Sequence, residues 1–369
     1  MTEARSVTLF LSNLVPGGAE RVTLHLANQF ATHRLHTTLL LQRKKGALLS
    51  DVPRHVLVEA LDARNTFTAL FPLIKYLRQN HPDILLANMV PNAIIAVLAR
   101  LISRTQTKIV ICLHNPPSAE GQYKKKWQFK FMLFLSYLLF RWADKIIAVS
   151  DHVAQDTAKI ARLKRDEIIT IYNPVISADF DVLAAAPLTH PWLQDDGPPV
   201  ILAVGRLVAQ KDYALLVQAF SAVAHKKNVR LIILGDGPLL EDLKQHALKL
   251  GVEDRMQCLG YQANPIPFMK KAALLVTPSQ HEGFGNVIAE ALACGTPVVS
   301  TNCGGPAEIL DNGRYGPLVP VGNVYAMAQA IQTTLDNPLP REVLKQRGHE
   351  FTIERSATEY RKIFDQLLA

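Results

Sequence analysis

Cysteine is scarce in this chain: there are four, Cys112, Cys258, Cys294 and Cys303, and no two stand in a CxxC pair. That suggests neither a disulfide framework nor a zinc knuckle, so a reducing cytosol is the default compartment. Long hydrophobic runs are missing too. The apolar stretch Val7 to Leu11 near the N-terminus is preceded by Glu3 and Arg5 and is far too short for a signal-peptide core or a membrane span. Nothing marks the chain for export, and the expected location is the cytoplasm. There is no low-complexity tract, and hydrophobic residues at 49% against charged residues at 20% make a composition that folds. At 369 residues the chain is too long for one ordinary core. It fits two domains of about 150 to 200 residues.

The net charge of +8 is unevenly spread. Residues 1 to 180 hold 23 Lys and Arg against 13 Asp and Glu, a net +10, whereas residues 181 to 369 hold 17 against 19, a net −2. A basic half beside a slightly acidic one points to an anionic partner for the first half. The plain alternative is a charge kept for solubility.

Short apolar runs rich in β-branched residues alternate with helical patterns along the whole chain. In the first half the expected strands are Val7 to Ser12, Thr37 to Leu41, His55 to Ala60, Ile84 to Ala87, Lys108 to Leu113, Lys145 to Val149 and Ile168 to Ile171. A Pro-rich stretch with Pro174, Pro187, Pro191, Pro198 and Pro199 comes next, and it reads as a linker. The second half offers Val200 to Val204, Arg230 to Leu234, Met256 to Leu259, Ala273 to Thr277, Val298 to Ser300 and Leu318 to Val319. This is βα repetition with parallel-sheet logic, an α/β chain of two Rossmann-like domains. The boundaries read as residues 1–175, a linker at 176–199, a second domain at 200–350 and a C-terminal helix at 351–369.

Glu282 and Glu290 bracket a glycine-rich turn in HEGFGNVIAEALACGTPVVS. The first comes after an apolar run; the second comes after Gly283, Gly285 and Asn286 on a segment that reads as a helix, Asn286 to Ala293. A helix start behind small residues offers backbone N–H groups and a positive dipole end, which suit a phosphate. Carboxylates accept hydrogen bonds from hydroxyls. Together they suit a ligand with both a diphosphate and sugar rings, a nucleotide sugar. Single surface glutamates are usually solvated, but an interval of eight across a glycine turn favours joint work.

Arg206 and Lys211, in GRLVAQK just after a strand, could meet the negative charge that builds on a leaving nucleotide, as a bidentate fork and a movable point charge. An isolated pair at this spacing is more often two solvated cations. Gly17 and Gly18 come after the first strand and open a helix, where glycines let backbone approach a phosphate or sugar. His114 ends a strand ahead of Asn115-Pro116-Pro117. There an imidazole of near-neutral pKa could donate to a sugar or a phosphate oxygen.

Lys124, Lys125, Lys126 and Trp127 begin a segment that runs through FMLFL to Trp142. A helix apolar nearly all round is commonly core. This one is too short and too interrupted by Lys130 and Arg141 to span a bilayer, but its lysines and interface-loving aromatics also suit a membrane surface. Two motifs are set aside. Asp179-Phe180-Asp181 spells DxD without a strand feeding it and reads as surface, and Gly235-Asp236-Gly237-Pro238 lacks the GxGxxG of a dinucleotide fingerprint.

The Glu-x7-Glu signature resembles that of the family 4 retaining glycosyltransferases. The resemblance extends over nearly the whole chain through VPGGAERV, LHNPP, AVSDHV, IYNPV, AVGRLVAQKDY, LGDGPL and CGGPAEIL. It implies the GT-B architecture, two Rossmann-like domains facing across a cleft, with the last helix, Ile353 to Leu368, returning to the N-terminal domain. It also implies roles: Arg206 and Lys211 as a diphosphate clamp, Glu290 on the ribose hydroxyls, Glu282 and His114 on the donor sugar, and the Gly17-Gly18 turn near the donor. Backbone N–H groups of Phe284, Gly285, Asn286 and Val287 are expected on the distal phosphate or a sugar hydroxyl. The Gly260 to Asn264 loop, with Tyr261, is expected to hold the base. The implied activity is transfer of a sugar, UDP-linked by expectation, to a hydroxyl of a lipid-linked glycan with retention. It would need no metal, cofactor or nucleic acid, and the protein would sit at the inner face of the cell membrane. Rival readings are a nucleotide-sugar epimerase of the same shape and a non-catalytic nucleotide-sugar-binding scaffold.

Overall fold

The computed structural model describes residues 5–119, 126–193 and 196–369, with backbone alone at Lys126. Within them every strand expected from an apolar run is present, because each run is long enough for a strand and too short for a helix. The chain divides into two compact units, residues 1–174 with 353–369, and residues 175–352.

The first unit runs β1 (Ser6–Leu11), α1 (Gly18–Thr32), β2 (His36–Leu41), β3 (Leu57–Ala60), α2 (Leu70–Asn80), β4 (Ile84–Asn88), α3 (Val90–Ser103), β5 (Lys108–Leu113), α4 (Lys126–Leu139), β6 (Lys145–Ala148), α5 (Asp151–Ala161) and β7 (Ile168–Thr170). Its strands form one parallel sheet in the order β3-β2-β1-β4-β5-β6-β7. Leu9 stands between Leu39 and Leu86 in register. All three are fully buried, as expected of a parallel sheet covered on both faces.

In the second unit, α6 (Phe180–Ala184) precedes β8 (Val200–Val204), α7 (Tyr213–Ala224), β9 (Arg230–Leu234), α8 (Leu240–Lys249), β10 (Met256–Cys258), α9 (Ile266–Lys271) and β11 (Leu274–Thr277). It then continues through α10 (Asn286–Ala293), β12 (Val298–Thr301), α11 (Gly305–Ile309), β13 (Leu318–Val319), α12 (Val324–Asp336) and α13 (Arg341–Gly348). The order β10-β9-β8-β11-β12-β13 repeats the logic of the first sheet. Residues 176–199, expected as a linker, belong to this unit. Phe180 and Leu193 are buried there, and Asn264 donates from Nδ2 to Leu183 O at 2.9 Å.

The last helix, α14 (Ile353–Leu368), joins the first unit and packs on α1. Phe30 of α1 meets Tyr360 and Phe364 edge-on, with ring centres 6.1 and 5.2 Å away. Such aromatic contacts add to the burial of large rings and hold the helix in place.

Candidate functional site

In an open α/β sheet, ligands gather at the carboxyl ends of the two neighbouring strands whose connections leave in opposite directions. In the second unit those strands are β8 and β11. The loop after β8 carries Gly205, Arg206 and Lys211, and the loop after β11 carries Glu282 and Gly283. Two backbone-anchored contacts stitch the loops: Gln280 N donates to Gln210 O at 2.8 Å, and Gln210 Nε2 donates to His281 O at 2.9 Å. Across this seam Lys211 Nζ donates to Glu282 Oε1 at 2.5 Å, and Ser279 Oγ donates to the same oxygen at 2.7 Å. The two charged side chains are only 18% and 12% exposed, so the pair is shielded from water.

The glutamate's own backbone is held from the β12 side. Glu282 N donates to Cys303 O and Gly305 N donates to Glu282 O, both at 3.2 Å, while Thr301 Oγ1 donates to Ser279 O at 2.5 Å. Gly305 makes this approach possible, since a Cβ there would lie 2.4 Å from Phe284 Cα. Phe284 itself is buried and meets Phe351 edge-on at 5.5 Å, so any contact it makes with a ligand runs through its backbone. Gly285, at φ 111°, caps α10, and Glu290 sits half-buried one turn inside that helix. Arg206 is exposed, as is Tyr261.

The Gly235-Asp236-Gly237 turn does more than link a strand to a helix. At Gly235, φ is +139° and a Cβ would fall 1.9 Å from Gly205 O. Leu207 N donates to Asp236 O at 2.9 Å, and Tyr261 N donates to Asp236 Oδ2 at 3.0 Å. Asp236 thus ties the loop bearing Arg206 to the loop bearing Tyr261. Ser279 lies in no motif, and Gln210 and Asp236 lie in motifs that give no hint of these contacts; only their neighbours in space give the three a role.

In the first unit the corresponding strands are β1 and β4. Gly17 stands at the N-cap of α1 with Gly18 as its first residue. Behind this turn, Leu14 N donates to Lys45 O at 2.8 Å, and Gly46, at φ +125°, leaves room that a Cβ would lose to Leu14 O at 2.0 Å. His114, at the end of β5, is buried, and burial lowers its pKa from 6.5 to about 4. The expected near-neutral titration is therefore corrected: the ring is held neutral. Its Nε2 lies 2.8 Å from Asn88 Oδ1, and its buried Nδ1 has no partner among the described residues. Met89, beside Asn88, has φ 72° and ψ 151°, a region costing about 1–3 kcal/mol for a residue with a side chain.

Lys124 and Lys125 lie outside the described residues, as does the side chain of Lys126. The helix α4 beyond them is not buried all round. Trp127, Phe131, Phe134 and Leu138 recur at helical spacing along α4 and are exposed, Trp127 at 66% and Phe134 at 52%, with Trp142 past its end at 54%. Met132, Ser136 and Leu139 are buried instead, so α4 offers one apolar stripe to the core and another outward. Lys130 and Arg141 are exposed near the outer stripe. Among the described residues no helix is long and apolar enough to cross a membrane. Asp179 and Asp181 are exposed at the start of α6, and no group of three His, Cys, Asp or Glu among the described residues could hold a metal ion.

Comparison with known proteins places the chain in a family. Residues 16–178 match the family described as Glycosyltransferase Family 4, and residues 189–351 match Glycosyl transferases group 1. The chain is 30% identical over 351 residues to the lipopolysaccharide core biosynthesis glycosyltransferase LpsE of Rhizobium meliloti, covering 93% of each. It is 28% identical over 358 residues to the N-acetylgalactosamine-N,N'-diacetylbacillosaminyl-diphospho-undecaprenol 4-alpha-N-acetylgalactosaminyltransferase of Campylobacter jejuni, covering 92% of this chain and 93% of that one. Among solved structures, Anabaena HepE in complex with UDP and glucose superposes with a TM-score of 0.79 at 21% identity, over 98% of this chain and all of that one. Two parallel α/β units in one chain, a shared fold with solved glycosyltransferases and a full-length relative at 30% identity lead to one conclusion. The chain is a GT-B protein and belongs to the family 4 glycosyltransferases.

Proposed function

We propose that this glycosyltransferase moves a sugar from a UDP-sugar to a hydroxyl of a lipid-linked glycan, with retention of configuration, in the assembly of a cell-surface polysaccharide or lipopolysaccharide. The observation that carries the reading is the Lys211–Glu282 pair at the junction of β8 and β11. It sets a cation and a carboxylate side by side where a nucleotide sugar presents a diphosphate and a sugar. The start of α10 lies beside them. In this reading the breaking bond joins the sugar's anomeric carbon to the distal phosphate oxygen. The charge left on UDP is met by Lys211, Arg206 and the positive end of α10. As Lys211 turns to the phosphate, Glu282 takes a hydrogen bond from a sugar hydroxyl instead.

Glu282 Oε1 already accepts from Lys211 and Ser279, surroundings that suit an anchoring carboxylate better than an attacking one. The acceptor hydroxyl therefore attacks on the face that UDP leaves, and its proton passes to the departing phosphate. HepE is described with UDP, and the relatives from R. meliloti and C. jejuni are named for a lipopolysaccharide core and an undecaprenol-linked acceptor. These names support UDP as carrier and a lipid as anchor. The outward stripe of α4 and the +10 charge of residues 1 to 180 support adsorption on an anionic leaflet, where such acceptors lie.

The test is a thermal-shift panel of UDP-, GDP- and ADP-sugars, and then turnover of the best donor with polyprenyl-diphosphate-linked sugars. UDP-sugars should stabilise most, and product NMR should show the donor's anomeric configuration kept. Interconversion of the donor without an acceptor would return the epimerase reading. A GDP- or ADP-sugar as the turned-over donor would overturn the UDP assignment.

A further inference from the structure

His114 stands in a buried polar cluster that the transfer reaction alone does not explain. Cys112 is on β5 and His114 is the first residue after it, and their side chains meet. Cys112 Sγ lies 3.4 Å from His114 Nε2 and 3.1 Å from the hydroxyl of Tyr360, which α14 brings in from 248 residues away. On its other side, Nε2 meets Asn88 Oδ1 at 2.8 Å.

The orientation of Asn88 decides the proton. Its Nδ2 lies 3.4 Å from both Phe10 O and Leu86 O, two carbonyls that only accept, so Nδ2 must face them and Oδ1 must face the imidazole. An amide oxygen also only accepts. Nε2 is therefore the protonated nitrogen, and in a neutral ring the unpartnered Nδ1 carries a bare lone pair. The thiol of Cys112 and the phenol of Tyr360 are both pushed upward by burial and stay protonated, and the carboxylate of Glu359 on α14 raises the phenol further.

We propose that Asn88, Cys112 and Tyr360 are positioning residues for His114, holding its ring as the neutral Nε2–H tautomer so that Nδ1 accepts a hydrogen bond from a substrate hydroxyl and rejects a phosphate oxygen. The C-terminal helix is in this way part of the active site without touching substrate. The inference rests on the transferase reading for the substrate and on the geometry alone for the tautomer.

Histidine 15N NMR of the unliganded protein at neutral pH tests the tautomer without any turnover. His114 should show a protonated Nε2 and an unprotonated Nδ1. Tyr360→Phe should move these signals, lower kcat about five-fold and leave UDP affinity unchanged, as expected for the loss of one neutral hydrogen bond. Cys112→Ser should keep most of the activity that Cys112→Ala loses. An Nδ1–H ring, an imidazolium at neutral pH, or a folded Tyr360→Phe protein with unmoved signals and unchanged kcat would overturn the proposal. If no donor is turned over while the expected tautomer is seen, the transferase reading fails and the positioning of His114 stands.

Discussion

Lys211 and Glu282, 71 residues apart in the chain, meet at 2.5 Å where the loops after β8 and β11 run side by side. The cation that would clamp a diphosphate neutralises the carboxylate that would face the sugar. Glu282 thus stands in for the phosphate charge that Lys211 would meet, and Lys211 for the hydroxyl donor that Glu282 would meet. The pair also stores stability, because either charge left alone in this shielded place would lack compensation.

Lys211→Ala should therefore cost in two ways. Turnover should fall by roughly 10² or more, the usual loss when a group stabilising developing charge is removed. The melting temperature should drop too, since Glu282 keeps only Ser279, for a loss of about 2 kcal/mol. The double variant Lys211→Met with Glu282→Gln should recover most of the stability and none of the turnover. Calorimetry and kinetics on the same samples separate the two effects, and full activity in a folded single variant would remove Lys211 from the clamp.

Adsorption on membranes should depend on the outward stripe of α4. Phe131→Ser with Phe134→Ser, or Lys124, Lys125 and Lys126 all changed to Glu, should abolish flotation with anionic liposomes while UDP affinity stays unchanged. Each lysine near the surface contributes about 1 kcal/mol, and added salt should weaken adsorption as the Debye length shrinks from about 10 Å. Wild-type protein that ignores anionic vesicles at low salt would point to a soluble acceptor.

Acid should destabilise the fold partly through His114. Its ordinary pKa of 6.5 applies to the unfolded chain, and burial brings it to about 4 in the fold. Between those values the unfolded state binds the proton and the native state does not, so stability falls as pH drops from 6.5 to 4 and is unaffected above that window. The contribution is about 3 kcal/mol. His114→Gln should flatten that part of the stability curve relative to wild type, and parallel curves from denaturant titrations would show that His114 is not the group involved.

Chelation should leave turnover intact. Arg206, Lys211 and the start of α10 already supply positive charge at the proposed diphosphate site. Activity that disappears in EDTA and returns with magnesium or manganese would bring Asp179 and Asp181 back as ligands.

The sequence by itself determined the kind of fold and the ingredients of the candidate site. Thirteen apolar runs of strand length alternate with helical patterns, and this periodicity depends on neighbours a few residues away, so it can be read without a structure. The glycine turn with Glu282 and the start of α10 are equally local, as are Gly17 and Gly18 at the head of α1. Only the tertiary structure decided which loops meet. Strand order makes β8 a neighbour of β11, and that pairing, invisible to local pattern, sets Lys211 against Glu282. The same holds for Asp236, for the buried ring of His114 and for Tyr360 on Cys112, all products of contacts between segments far apart in sequence. On α4 the composition left core and membrane surface both open, because its helix is apolar on two sides and the core can cover only one; packing decided which side stayed outside.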